Sequence, residues 1–164
     1  PEARLDQSST YNAISELQLF MEYFPDSNRK TEAQLMIFNL QDKLVMKDYL
    51  TAKLYYDLGT YTGNASYTAD MRINGNNFLA CITTAQNALK DYPYTSMRED
   101  ISILLLRAKY KLGSESVLDK KEERMRETID EYYAFKNEFP ESKYMKEVEA
   151  IYKDASKYVK ELNE

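Results

Sequence analysis

Covalent and metal chemistry have few carriers in this chain. It contains no histidine and one cysteine, Cys81, so the commonest general base and the commonest metal ligand are both missing. Cys81 lies beside Phe78, Ile82 and Ala85. That apolar setting reads as core packing, because a reactive thiol needs an exposed, electropositive surrounding. A single cysteine cannot form an internal disulfide, so cysteine usage leaves the compartment open. Glu122, Glu123, Glu147 and Glu149 alternate with Lys and Arg at helical spacing and read as solvated i,i+4 pairs. No two carboxylates stand out as an acid/base couple. No catalytic residue, cofactor or metal site is therefore expected. An enzyme built on a carboxylate pair would need a deep pocket with converging acids. Asn64-Ala65-Ser66 matches a glycosylation sequon, a three-residue pattern of little weight.

The side chains left to carry function are those that hold other proteins. There are 15 tyrosines, a residue used both in helix packing and at interfaces. Tyr49 and Tyr56 are seven apart and share a helical face, which makes them candidate contact residues. Basic residues number 22 and acidic ones 27, for a net charge of −5. No segment forms the basic stripe that phosphate binding requires, so nucleic acid is not an expected partner. No apolar run approaches the roughly 18 residues needed to cross a bilayer. The chain opens at Pro1 without a methionine or signal peptide, which reads as a fragment of a longer protein whose targeting segment lies upstream.

The elements that position these side chains follow from an internal repeat. Three segments end in aromatic-Pro-x-Ser/Thr: Phe24-Pro25-Asp26-Ser27, Tyr92-Pro93-Tyr94-Thr95 and Phe139-Pro140-Glu141-Ser142. Counting back five, eight and twelve residues from each proline gives Phe20, Leu17 and Ala13, then Ala88, Ala85 and Cys81, then Phe135, Tyr132 and Thr128. Those offsets fall on one helical face. The small residue twelve back lets a neighbouring helix approach. Proline ends the helix and pushes the residue before it out of the α region. The Ser or Thr two residues later can cap the next helix, and Ser96-Met97-Arg98-Glu99 has capping-box spacing.

The unit is helix, proline turn, helix, and only 4 Gly and 4 Pro interrupt the chain. The spacing predicts helices near 8–24, 28–58 (broken or bent around 45–48), 77–91, 96–112, 120–138 and 143–162. The prolines are 68 and 47 residues apart. The first spacing is twice the roughly 34-residue tetratricopeptide (TPR) period, and the second is not a multiple of it. The expected fold is all-α: a TPR-like superhelix of antiparallel helix pairs, about two and a half repeats in one domain spanning 1–164. The last helix, 143–162, would act as a cap. Leu58-Gly59 reads as a helix end with a C-cap glycine. A long loop insertion at 60–76 follows, of the kind that is functional or disordered in compact domains.

The residues also resemble a known family. Phe24-Pro25-Asp26-Ser27 through Asp42-Lys43-Leu44, then Tyr49, Tyr55-Tyr56 and Gly59, with Ala88-Leu89-Lys90-Asp91-Tyr92-Pro93, look like the C-terminal half of the BamD family. These are TPR lipoproteins of the bacterial outer-membrane β-barrel assembly (BAM) machine. The similarity covers most of 8–112 and departs at 60–75, where the family usually has a tight turn. The resemblance implies a scaffold at the periplasmic face of the outer membrane. Its only membrane attachment would be an N-terminal lipid-modified cysteine absent from this sequence. It also implies docking onto the POTRA domains of a BamA-type partner, other assembly-machine subunits, and unfolded barrel substrates engaged through the missing half. Lys43 falls where the family carries a basic residue that pairs with an acidic residue of that partner. The expected partner-binding set is Asp42, Lys43, Lys47, Tyr49 and Tyr56, on one side of the second helix. The alternative expectation is a TPR receptor for a peptide or glycan, unrelated to barrel assembly.

Overall fold

The computed structural model describes residues 1–61 and 76–161. Among them it has six helices and no strand: α1 (Ser8–Tyr23), α2 (Lys30–Leu58), α3 (Asn77–Asp91), α4 (Arg98–Ser114), α5 (Leu118–Glu138) and α6 (Met145–Glu161). Residues 62–75, which hold most of the expected 60–76 insertion and the Asn64 sequon, lie outside the described residues.

The proline turns explain why the helices stop where they do. Phe24, Tyr92 and Phe139 adopt one conformation, with φ of −126°, −129° and −126° and ψ of 64°, 67° and 61°. This is outside the α region, as a following proline demands. In each turn the aromatic residue's N–H still donates to the carbonyl four residues back, on Phe20, Ala88 and Phe135. The hydroxyl oxygens of Ser27, Thr95 and Ser142 then accept from the N–H of Arg29, Met97 and Tyr144, at 3.2, 3.2 and 3.0 Å. That satisfies one donor ahead of each new helix. The expected capping box at Ser96 does not form. The Ser96 hydroxyl donates to Asp42 and the Glu99 carboxylate accepts from Ser142, because packing against neighbouring helices engages both side chains first.

Neighbours in sequence pack antiparallel. Arg98 at the start of α4 pairs with Glu138 at the end of α5, and Tyr56 late in α2 meets Phe78 early in α3, ring edge to face at 5.8 Å. Beyond these, α2 touches α4 and α4 touches α6, whereas α1, α3 and α5 do not touch one another. The helices thus form two rows, and only in the row of α2, α4 and α6 do successive members touch.

Helix α4 lies against four others, which is why Ile101–Leu106 reads as apolar nearly all round: each of those residues is buried. Ile101, Leu104 and Leu105 join Val45, Ala52, Phe78, Cys81, Ala85 and Ala88 in one core. Ile103 and Leu106 join Tyr132, Phe135, Val148 and Ile151 in the next. Burying each such Ile, Leu or Phe contributes about 1.5–3 kcal/mol.

Two expectations about the array change. Helix α2 runs 29 residues without a break, so the expected interruption near 45–48 does not occur. The 68 residues from Pro25 to Pro93 hold two helices, α2 and α3, so the match of that spacing to twice the TPR period does not reflect two repeats. The extra length is in α2, which has 29 residues against 17 in α4, and in the 59–76 connection. At the end of α2, Gly59 has φ 55° and ψ −118°, a conformation costly for a residue with a Cβ. A Cβ there would also stand 3.1 Å from the Phe78 ring.

Candidate docking surface

Successive residues of a helix point about 100° apart, so Lys47 and Tyr49 on unbroken α2 diverge by roughly 200°. The structure follows that geometry and divides the expected set. Tyr49 and Tyr56 are half-buried against the core formed by α2, α3 and α4. Burial and the neighbouring carboxylates Glu147 and Asp57 raise the Tyr56 phenol's pKa, and the Arg107 charge opposes them. Lys43 and Lys47 lie on the opposite side of α2. One set of five therefore does not form one face.

The side with the two lysines is partly roofed by the N-terminal segment. Gln7, 2% exposed, anchors that segment by donating to the carbonyls of Glu2 and Leu5 at 2.7 and 3.1 Å. It also accepts from the Thr10 hydroxyl at 2.8 Å. Lys47 donates to the Leu5 carbonyl at 3.1 Å, and Pro1 lies beside Lys43. Between segment and helix is a groove of about 460 Å³ lined by Arg4, Lys47, Leu50, Thr51, Lys53, Leu54 and Asp57. Lys53 is held by Asp57 at 2.9 Å. Arg4 makes no ion pair among the described residues, the Lys47 charge acts on Asp6 and Asp48, and Leu54 is 57% exposed. The groove is basic and partly apolar, which suits an acidic protein surface. Sequence reasoning missed the roles of Arg4 and Gln7. The polar stretch before α1 has no periodic signal, and its place is fixed by the Gln7 bonds and by the Lys47 bond to the Leu5 carbonyl.

Asp42 has a different task. Its carboxylate accepts from the Thr95 and Ser96 hydroxyls, both at 2.6 Å, and from the Ser96 N–H at 3.3 Å. It ties α2 to the turn before α4. On the row of α2, α4 and α6, Arg107 makes two bonds to Glu147, at 2.7 and 2.6 Å, and lies 5.3 Å from the Tyr144 ring centroid. Those bonds, and the Arg107 charge, hold the Glu147 carboxyl below its ordinary value against the opposing effect of burial. Asp48 has the opposite setting: burial first, and the Asp91 charge second, raise its pKa.

Cys81 is fully buried; burial, aided by the Asp57 charge, pushes its thiol up to about 12, so at neutral pH it is a packing group. No cluster of three or more metal-ligating side chains occurs among the described residues. No helix among them is long and apolar enough to cross a membrane.

These features define the class: six helices and no strand among the described residues, with a recurrent proline turn joining α1 to α2, α3 to α4 and α5 to α6. No protein-family model matches the chain, and no curated protein matches it significantly.

Proposed function

We propose that this chain is a protein-binding scaffold, a TPR-like superhelix of antiparallel helix pairs. In this reading it acts as the BamD lipoproteins do in outer-membrane β-barrel assembly, docking to POTRA domains of a BamA-type partner at the periplasmic face. The scaffold reading rests on one observation above all: the same aromatic-Pro-x-Ser/Thr turn, with the same dihedral angles, joins three successive helix pairs. Such stacked pairs present extended surfaces for partners. The choice of partner rests on the residue pattern Asp42-Lys43-Leu44 with Tyr55-Tyr56 and Gly59. The groove bearing Arg4 and Lys47, adjacent to Lys43, supplies the charge such an acidic partner would meet.

Docking is assigned to the Lys43 and Lys47 side of α2, with Tyr49 and Tyr56 supporting the helix from within. Lys43→Glu should weaken binding to the POTRA-bearing partner, by about 1 kcal/mol for a rim pair or about 2–5 for a desolvated one. An acidic-to-basic change on the partner should restore it. Circular dichroism on the same variant separates docking from folding. Undiminished affinity with an intact fold would remove this face from the proposal.

A further inference from the structure

The turns before α4 and α6 make the same contact with the preceding helix of their row. Thr95 donates its hydroxyl to Asp42 of α2, and Ser142 donates to Glu99 of α4, each at 2.6 Å. Asp42 therefore matches Glu99, and the residue before it, Gln41, matches Arg98. Asp91 matches Glu138, since each directly precedes the aromatic residue of its turn.

One member of this constellation is exchanged. In the later copy the Arg98 guanidinium holds Glu138 through two bonds, one from Nε and one from Nη2, the second at 3.3 Å. In the earlier copy Gln41 stands in place of the arginine, and the Asp91 carboxylate makes no ion pair or hydrogen bond among the described residues. Gln41 and Asp91 instead line one cavity of about 350 Å³. Phe38, Tyr92 and Tyr94 give it aromatic walls, and no lysine or arginine lines it. The Phe38 wall comes from the extra length of α2. Phe38 lies one turn before Asp42, where α4, beginning at Arg98, has no counterpart. The Tyr94 ring is 84% exposed. At the later copy the Tyr94 position is Glu141, and Lys143 lies in the lining.

We infer that this cavity seats one arginine side chain of a partner protein. Its guanidinium takes the place that Arg98 has in the later copy, forked onto the Asp91 carboxylate with its planar face against the Tyr92 and Tyr94 rings. Guanidinium combines both contacts, whereas an ammonium is a point charge without the fork. Asp42, already held by Thr95 and Ser96, adds negative charge beside it. Lys43 is two residues on from Gln41, about 200° around α2. The seat is thus separate from the basic groove, and the inference does not rest on the POTRA reading.

The test titrates the isotope-labelled chain with a seven-residue peptide that carries one arginine between two leucines and has blocked ends. Matched peptides carry lysine or glutamine at that place. Millimolar arginine peptide should shift the amides of Asp91 and Tyr94 and the side chain of Gln41. The lysine peptide should bind about threefold or more weakly, and the glutamine peptide should leave these signals in place. Gln41→Arg supplies the guanidinium from within, and Asp91→Asn removes its partner. Each should weaken the arginine peptide about tenfold with helicity unchanged by circular dichroism. No shift at Asp91, equal binding of the lysine or glutamine peptide, or undiminished binding to Gln41→Arg would overturn the inference. A shift of Asp91 in peptide-free Arg72→Ala would give the seat to the chain's own arginine, and shifts that grow with protein concentration alone would give it to a second copy. Either result overturns it equally.

Discussion

Asp42→Ala should cost the protein stability before it costs any partner contact. The Asp42 carboxylate receives three bonds from the turn between α3 and α4. Thr95 is 8% exposed, so its hydroxyl would lose a charged acceptor in a site that water barely reaches, a loss of about 1.5–2 kcal/mol. Ser96 is exposed and recovers bonds from water, so its share is about 0.5–1 kcal/mol. The sum, about 2–3 kcal/mol, corresponds to a fall in Tm of roughly 5–10 °C for a chain of this size. Urea and thermal unfolding followed by circular dichroism read it directly. A cycle with Thr95→Val isolates the pair and should give a coupling of about 1 kcal/mol or more. If Asp42→Ala lies within about 0.5 kcal/mol of the parent, or adds to Thr95→Val without coupling, the carboxylate does not clamp the turn. Its assignment as a structural tie, rather than a docking residue, would then fail.

The packing asymmetry predicts unequal outcomes for two matching substitutions. Cys81→Phe overfills a site with no exposure and should cost about 1–3 kcal/mol, whereas Ala13→Phe on half-open α1 should cost under about 0.5 kcal/mol; equal losses in urea unfolding would contradict the register. The Arg107–Glu147 pair predicts an acid-sensitive term. Because the folded carboxyl is held below its ordinary value of 4.5, its contribution is present above that pH and lost as pH falls through the lower folded value. The Tm gap between the parent and Glu147→Gln should therefore be open at pH 7 and close on acidification below about 4.5, and a gap independent of pH would refute the assignment.

Particular residues show which features of the molecule the sequence alone revealed. Helix ends come out within two residues at Tyr23, Asp91 and Glu138, because proline dictates the backbone before it regardless of what packs around it. The all-α class and the buried faces at Cys81 and Thr128 follow from the same offsets. The length of each unit does not, because no local rule limits α2. A helix with good formers at 30–58 extends until Gly59 stops it, and the apparent 34-residue period was a coincidence of that length. The relative placement of the five expected docking residues was only partly legible. Lys43 with Lys47, four apart, and Tyr49 with Tyr56, seven apart, are each real neighbours. Joining the two pairs across 47 and 49 required a break between them, and α2 is continuous there. The carboxylates serving Thr95 and Ser142 escaped notice because they stand at different distances from their prolines.

The scaffold account is tested most directly by titrating the 164-residue chain with the POTRA domains of a BamA-type partner in a calorimeter, at low and high salt. The account predicts saturable binding that weakens as salt screens the Arg4, Lys43 and Lys47 face. Absence of binding at a few hundred micromolar under low salt, with the chain fully helical by circular dichroism, would contradict it.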